Sequence, residues 1–245
     1  MTAALLGLAD RLRAFLPAFL VWTPATVGFY VLARVLYRRF PRWWLSPLFL
    51  APVLLLALAL GLGAGYAEYM RGAGWLMTLL GPATVAFALP IWEQRAVIRR
   101  LWPVLLAGVL AGSLTSVAVS CLLARLVHLP PGLELSLLPR SISTPFALIA
   151  SGELGGAPNL TAVFVIVTGV GGATFGAALL ARLPLASPEA KGAGLGMAAH
   201  AAGVAAALRL GRGEGSVAGL VMVLAGIANV LAAPLLAPLL ARLPG

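Results

Sequence analysis

The sequence predicts an all-α, polytopic transmembrane helical protein, and three features of its 245 residues carry that expectation. Mean hydropathy is +1.02 and only 10% of residues are charged, which leaves too little polar surface for a soluble chain of this length. Several apolar runs reach about 20 residues, the length at which a helix crosses about 30 Å of hydrocarbon. These runs do not alternate polar with apolar residues, so helices rather than barrel strands satisfy the backbone hydrogen bonds in lipid. Residues 1–245 therefore read as a single integral membrane domain with the lipid bilayer as its solvent.

The net charge of +10 comes mostly from arginines placed between the runs. That pattern writes topology and makes no continuous basic face, so nucleic acid is not an expected partner. The single cysteine, Cys121, lies inside an apolar run and reads as a small buried residue outside any disulfide framework. Asp10, Arg11 and Arg13 precede a run too long for the apolar part of a cleaved signal, and no A-x-A site closes it. The first run is thus expected to stay in the mature protein.

The first span covers Ala14 to Leu36, and its end and the loop after it carry Arg34, Arg38, Arg39 and Arg42, the densest positive cluster. Residues 1–46 form this N-terminal span and a basic loop, which the positive-inside rule makes cytoplasmic, with the N-terminus outside. Trp43 and Trp44 mark an interface belt, and a second span runs from Pro47 to Tyr66. The third, Trp75 to Trp92, contains Gly81-Pro82 and Pro90 and leads to Arg95, Arg99 and Arg100 on the expected cytoplasmic side. A fourth, Leu101 to Val127, carries Gly108 and Gly112, a small-xxx-small face for close helix packing. Beyond the segment LLPRSISTPFALIASGELGG, Leu137 to Gly156, come runs over Leu160–Leu180 and Ser187–Leu210 and a last span ending at Leu240. If Leu137–Gly156 crosses, about eight spans result; if it is re-entrant, about seven, and the C-terminal half inverts. The charges leave both readings open, because Arg209 and Arg212 fall on one side and Arg182, Lys191 and Arg242 on the other.

Proline costs a helix interior about 3 kcal/mol but suits a first helical turn. Read that way, Gly81-Pro82 starts a half-helix through Thr84, Ser143-Thr144-Pro145 starts a second with hydroxyl caps, and Pro158-Asn159 starts a third. Such ends hold unpaired amide donors and a positive dipole, so they attract anions, and discontinuous helices build the midplane sites of secondary transporters with inverted repeats. Arg140, Ser141, Ser143 and Thr144 add one cation and three hydroxyls beside one of these ends, which suits a small organic anion, a carboxylate with a neighbouring hydroxyl or keto group. Arg140 snorkelling to a headgroup, with the hydroxyls acting only as caps, is the structural alternative.

His200, among alanine and glycine, has the chemistry to carry a proton or donate to a substrate, or else to bond a carbonyl on the next helix. Glu153 is the other intramembrane candidate, unless the polar stretch GELGGAPN sets it at the surface. Gly169, Gly171, Gly172 and Gly176 allow close helix packing. The sequence contains no H-E-x-x-H, G-x-S-x-G or Walker A motif, and its two histidines are too few for most metal sites. The expectation is a protein that is not an enzyme and needs neither metal nor cofactor.

Three blocks then carry a resemblance: LLGPATVAFALPIWEQ, LLPRSISTPFALIASGELGGAPNLTAVFVIVTGVGGA, and SPEAKGAGLGMAAHAAGVAAALRLGRGEGSVAGLVMVLAGI. In this order, over residues 66–245, they make the chain resemble the LrgB (CidB) family of bacterial membrane proteins. The resemblance implies two functions. One is a holin/antiholin-like regulator of murein hydrolases working beside a small membrane partner of the LrgA (CidA) type. The other, suggested by the plastid glycolate/glycerate translocator, is a carrier of small monocarboxylates (glycolate, glycerate, lactate, pyruvate), with a proton or another cation for coupling and a homo-oligomeric assembly in the bacterial inner membrane. The family's GPAT block falls on Gly81, Pro82, Ala83 and Thr84, its lysine-serine on Arg140 and Ser141, its Thr-Pro on Thr144 and Pro145, and its histidine on His200. The chain departs from the family at Ile149, Ala199, Val204 and Ala206, where polar residues are usual.

Overall fold

The computed structural model describes residues 2–86, 88–180, 182–183 and 187–240, with side chains except at 2–15, 43, 83, 84, 90, 177, 239 and 240. Among the described residues all regular structure is helical. Five helical stretches are long and apolar enough to cross a membrane: Leu16–Arg39, Arg95–Leu126, Pro158–Leu180, Pro188–Leu210 and Arg212–Pro238. The pair Pro47–Leu62 and Tyr66–Pro82, bent by 118°, is a sixth candidate. The other expected crossings fall on helices of 6 to 11 residues, about 9 to 17 Å long, so they do not cross as single rods. The chain forms two units, 1–83 and 84–245.

In the first unit, α1 (Thr2–Arg39), α2 (Pro47–Leu62) and α3 (Tyr66–Ala73) pack through small residues and one buried aromatic. Gly72 lies directly on the Ala18 backbone, where no side chain would fit. Thr23 donates to the Gly72 carbonyl at 2.7 Å, and fully buried Trp22 meets Tyr69 edge to face at 5.6 Å. A 3₁₀ stretch, Gly74–Leu79, then runs into α4 (Leu80–Ala86) through helical backbone at Leu80. Gly81-Pro82 therefore occupies a continuing turn and is not preceded by the extended residue that would make a free helix end.

The second unit holds α5 (Ala88–Glu93), α6 (Arg95–Leu126), α7 (Pro131–Leu137), α8 (Thr144–Leu154), α9 (Pro158–Leu180), α10 (Pro188–Leu210) and α11 (Arg212–Leu240). Its first feature is a re-entrant hairpin. After α7 and a 3₁₀ turn, Leu138–Ser141, the backbone is extended at Ile142 and Ser143 before α8 begins. Both arms return to one end, because Ser136 of α7 and Ser151 of α8 meet Thr161 near the start of α9. Thr161 Oγ1 lies 2.9 Å from the Ser136 carbonyl and 2.7 Å from Ser151 Oγ, while the Ala157 amide donates to Ser136 Oγ at 2.7 Å. All three side chains are fully buried.

The second hairpin is α10 itself. Its ladder breaks at Ala199 (φ −138°, ψ 16°) and His200 (φ 40°, ψ −128°). Gly203 sits against the Leu195 carbonyl, although eight residues of straight helix would separate them by about 12 Å. Gly192 and Gly196 of the first arm lie on the backbones of Glu214 and Ala218 in α11, and Leu208 of the second arm lies on Gly215. Both ends of α10 thus stand beside the start of α11, and the chain reverses at His200. Gln94 at the head of α6 bonds Ser216, so α6 also begins at that end.

This fold-back resolves the charge pattern. Reading Ser187–Leu210 as a crossing separates Arg182 and Lys191 from Arg209 and Arg212; the reversal instead gathers all four at the end where α6 begins with Arg95, Arg99 and Arg100. The positive-inside rule predicts a cytoplasmic placement for that end. Arg242 lies outside the described residues. Between the hairpins, Ile142, Phe146, Ala147 and Ala150 pack on Val165 of α9 and on Val217, Val221 and Val223 of α11, forming the main apolar core.

Candidate functional site

The two hairpins approach α9 from opposite ends and meet it near its middle. Arg140, at the turn of the first, donates from Nη1 to Thr168 Oγ1 at 3.4 Å. His200, at the turn of the second, bonds the Val165 carbonyl through Nε2 at 3.0 Å, and its ring lies over Gly169. Val165 and Thr168 are three residues apart, on one face of one turn. Arg140 and His200, 60 positions apart in the chain, are thereby brought to the same turn of α9.

Arg140 is held but not neutralised. Its Nε donates to Ser120 Oγ at 3.0 Å, and Ser120, fully buried, directs its own hydrogen to the Ser116 carbonyl at 2.7 Å. Both acceptors are neutral hydroxyls, and among the described residues no carboxylate pairs with Arg140. Among the described residues its Nη2 group thus has no protein partner. A partly buried guanidinium without a counter-charge is costly in a low-dielectric interior and favours a flat, two-oxygen anion.

The start of α8 lies three residues on. Ser143 is its N-cap, and Pro145 in the first turn removes one donor while presetting the helical φ. Ser143 is 3% exposed, yet its Oγ caps no amide and makes no hydrogen bond. An unbonded buried hydroxyl costs about 1–3 kcal/mol, so its retention at a helix N-terminus beside an unneutralised arginine points to a ligand that completes it. Ser141 is buried and Thr144 half-buried at the same turn.

His200 is 5% exposed. A carbonyl can only accept, so in the neutral ring Nε2 carries the hydrogen and Nδ1 presents a lone pair. The turn can therefore donate from Arg140 and the α8 amides, and accept at His200.

Other expected residues lie elsewhere. Pro158 starts α9, and Asn159 beside it is exposed, nine residues or about 13 Å along the axis from Thr168. Glu153 is exposed near the end of α8, at the base of the first hairpin. Gly81 and Pro82 belong to the other unit, and the Thr84 side chain lies outside the described residues. Sequence reasoning missed Ser120 and Thr168, since isolated hydroxyls in apolar helices usually bond their own preceding turn. Among the described residues no three His, Cys, Asp or Glu side chains converge on a metal-sized site.

The model of the LrgB-like family matches residues 26–239. The chain is 38% identical over 211 residues to the uncharacterized protein YwbG of Bacillus subtilis strain 168, covering 86% of this chain and 94% of that one. It is 36% identical over 195 residues to the antiholin-like protein LrgB of the same organism, covering 80% and 84%. With the antiholin-like protein LrgB of Bacillus cereus strain B4264 it shares 32% identity over 211 residues, covering 85% and 91%. No solved structure matches.

Proposed function

The chain belongs to the LrgB-like family of membrane proteins, and we propose that within it this protein is a carrier for small organic monocarboxylates of the glycolate, glycerate, lactate and pyruvate class. The observation that carries this reading is Arg140, partly buried without a counter-charge beside the unpartnered Ser143 hydroxyl at the start of α8. The substrate carboxylate sits between the Arg140 guanidinium and the first amides of α8, with Ser143 and Thr144 as further partners. His200, reaching the same turn from the other end of α9, meets the rest of the substrate. Opposed re-entrant hairpins support alternating access, each covering the site from one side of a bacterial inner membrane. Coupling to a proton or another cation, assembly as a homo-oligomer and a small LrgA-type membrane partner extend this proposal by family analogy.

The test is uptake of labelled glycolate, lactate and pyruvate into proteoliposomes with and without a pH gradient, for the chain alone and with its small partner. Saturable, competable uptake that weakens in Thr144→Val at equal expression is expected. Unchanged kinetics in Thr144→Val would remove the α8 end from the site. The names of the antiholin-like relatives favour a second reading, a regulator of murein hydrolase export and lysis. That function predicts lysis or dye leakage on overexpression, independent of any carboxylate.

A further inference from the structure

A groove of about 410 Å³ runs between α6, α10 and α11, away from the midplane site. Val97, Leu101 and Val104 of α6, Ala193 and Met197 of α10, and Val221 of α11 give it apolar walls. Along α6 it extends from Val97 to Val109, twelve residues or about 18 Å. One leaflet of hydrocarbon is about 15 Å deep, half of the roughly 30 Å core, so the groove has the length of a single acyl chain's leaflet. At its inner end the Met197 side chain fills the space over Gly112. Beside Leu180 and at Gly108 the helices keep a wall of small residues, and a side chain at Gly108 would meet open space.

The outer end lies at the arginine-rich face. Arg100 is three residues after Val97 and four before Val104, on the flank of the groove-lining face. Arg99 and Arg100 are exposed and make no ion pair or hydrogen bond among the described residues. Arg182, Lys191, Arg209 and Arg212 share this end; Glu93, Glu189 and Glu214 are the acidic groups that oppose them, with Glu189 at the mouth itself. Basic side chains still outnumber acidic ones there, which favours a negatively charged headgroup over a neutral one.

We infer that this groove is a binding site for one anionic phospholipid of the arginine-side leaflet, its phosphate on Arg100 and one acyl chain along Leu101, Val104 and Met197. The site differs from general lipid contact because the chain enters a concave seam between three helices. It also touches the second hairpin through Ala193 and Met197, so an occupied groove braces the arm that carries His200.

Purified protein would be equilibrated with phosphatidylglycerol or phosphatidylcholine, and retained lipid read by native mass spectrometry alongside thermal unfolding. The wild type should retain phosphatidylglycerol about tenfold over phosphatidylcholine, because both offer a phosphate to Arg100 but only phosphatidylcholine brings a compensating cation into the basic mouth. Arg100→Gln should cut that preference severalfold while the other basic side chains keep part of it, and an unchanged ratio would take the phosphate off Arg100 and overturn the site. Gly108→Phe should fill the groove and lose bound lipid, with the unfolding midpoint in phosphatidylcholine unchanged. Equal retention of both lipids by the wild type, or full retention by Gly108→Phe, would mean annular lipid only and overturn the site. Should Gly108→Phe fail to fold, Arg100→Gln decides alone. The readout is lipid rather than uptake, so it stands or falls separately from the carrier reading.

Discussion

At the scale of single residues, Ser143 separates a ligand-binding role from a structural one. A hydroxyl that caps its helix stabilises the fold by about 0.5–2 kcal/mol, and its removal lowers the unfolding midpoint. Ser143 caps nothing and is buried without a partner, so Ser143→Ala removes an unsatisfied group. The expected outcome is an unfolding midpoint equal to or above that of the wild type, together with a raised KM for carboxylate uptake. A lowered midpoint with unchanged KM would show that the hydroxyl is a cap after all. Arg140 gives the complementary test. Its Nε and Nη1 are anchored on Ser120 and Thr168, which fixes the plane of the guanidinium. Lysine keeps the charge but lacks the fork and these anchors. Arg140→Gln is expected to raise KM by about 10- to 100-fold, the worth of a charge-assisted hydrogen bond of 1.5–3 kcal/mol. Arg140→Lys should fall between glutamine and wild type, and equal KM in all three would leave the arginine to a headgroup role.

At the scale of elements, the reversal within α10 makes a prediction that a crossing helix cannot meet. Lys191 and Arg209 are separated by nearly the whole of a 23-residue apolar helix, about 27 Å if it were straight. In a background of Cys121→Ser, single cysteines at these two positions should be labelled by a membrane-impermeant thiol reagent from the same side, the cytoplasmic one. Labelling from opposite sides would make α10 a span and dissolve the second hairpin. The break in the first hairpin was legible in the sequence because it is written in Arg140, Ser143, Thr144 and Pro145, residues that end one helix and begin another, although the sequence leaves a crossing and a re-entrant segment both open. The second was not: GMAAHAAGVAAAL contains no proline, and alanine is the best helix former, so it reads as continuous helix. The signal that was present is Gly192, Gly196 and Gly203, each of which lies where a backbone approaches too closely for any side chain. In an apolar run such glycines read as ordinary small-residue packing, and only the three-dimensional partner reveals that one of those contacts, Gly203 on Leu195, folds the helix on itself. The same omission divided the basic residues between two faces.

At the scale of the second unit, the two functions implied by the family differ in what must lie along the membrane normal. A pore needs a continuous wet path, whereas a carrier needs a central site closed from at least one side at all times. The centre of this unit is packed: Ile142, Val165, Leu195, Leu220 and Val223 are essentially inaccessible, and the polar groups of the midplane come from two hairpin turns that reach α9 from opposite ends. The long helices α6, α9 and α11 run between them, so α6 with the first hairpin and α9 with the second make a pair of helix-hairpin units of opposite sense. Such a pair covers its site twice, and opening one hairpin leaves the other in place. The purified protein in liposomes should therefore hold trapped carboxyfluorescein as well as protein-free vesicles do, with and without glycolate, while glycolate uptake saturates. Dye release at the same protein density, insensitive to Thr144→Val and to added carboxylate, would place a path through the packed centre and turn the reading toward membrane regulation. Retained dye together with no uptake of any carboxylate would leave the closed architecture intact and reject only the substrate class.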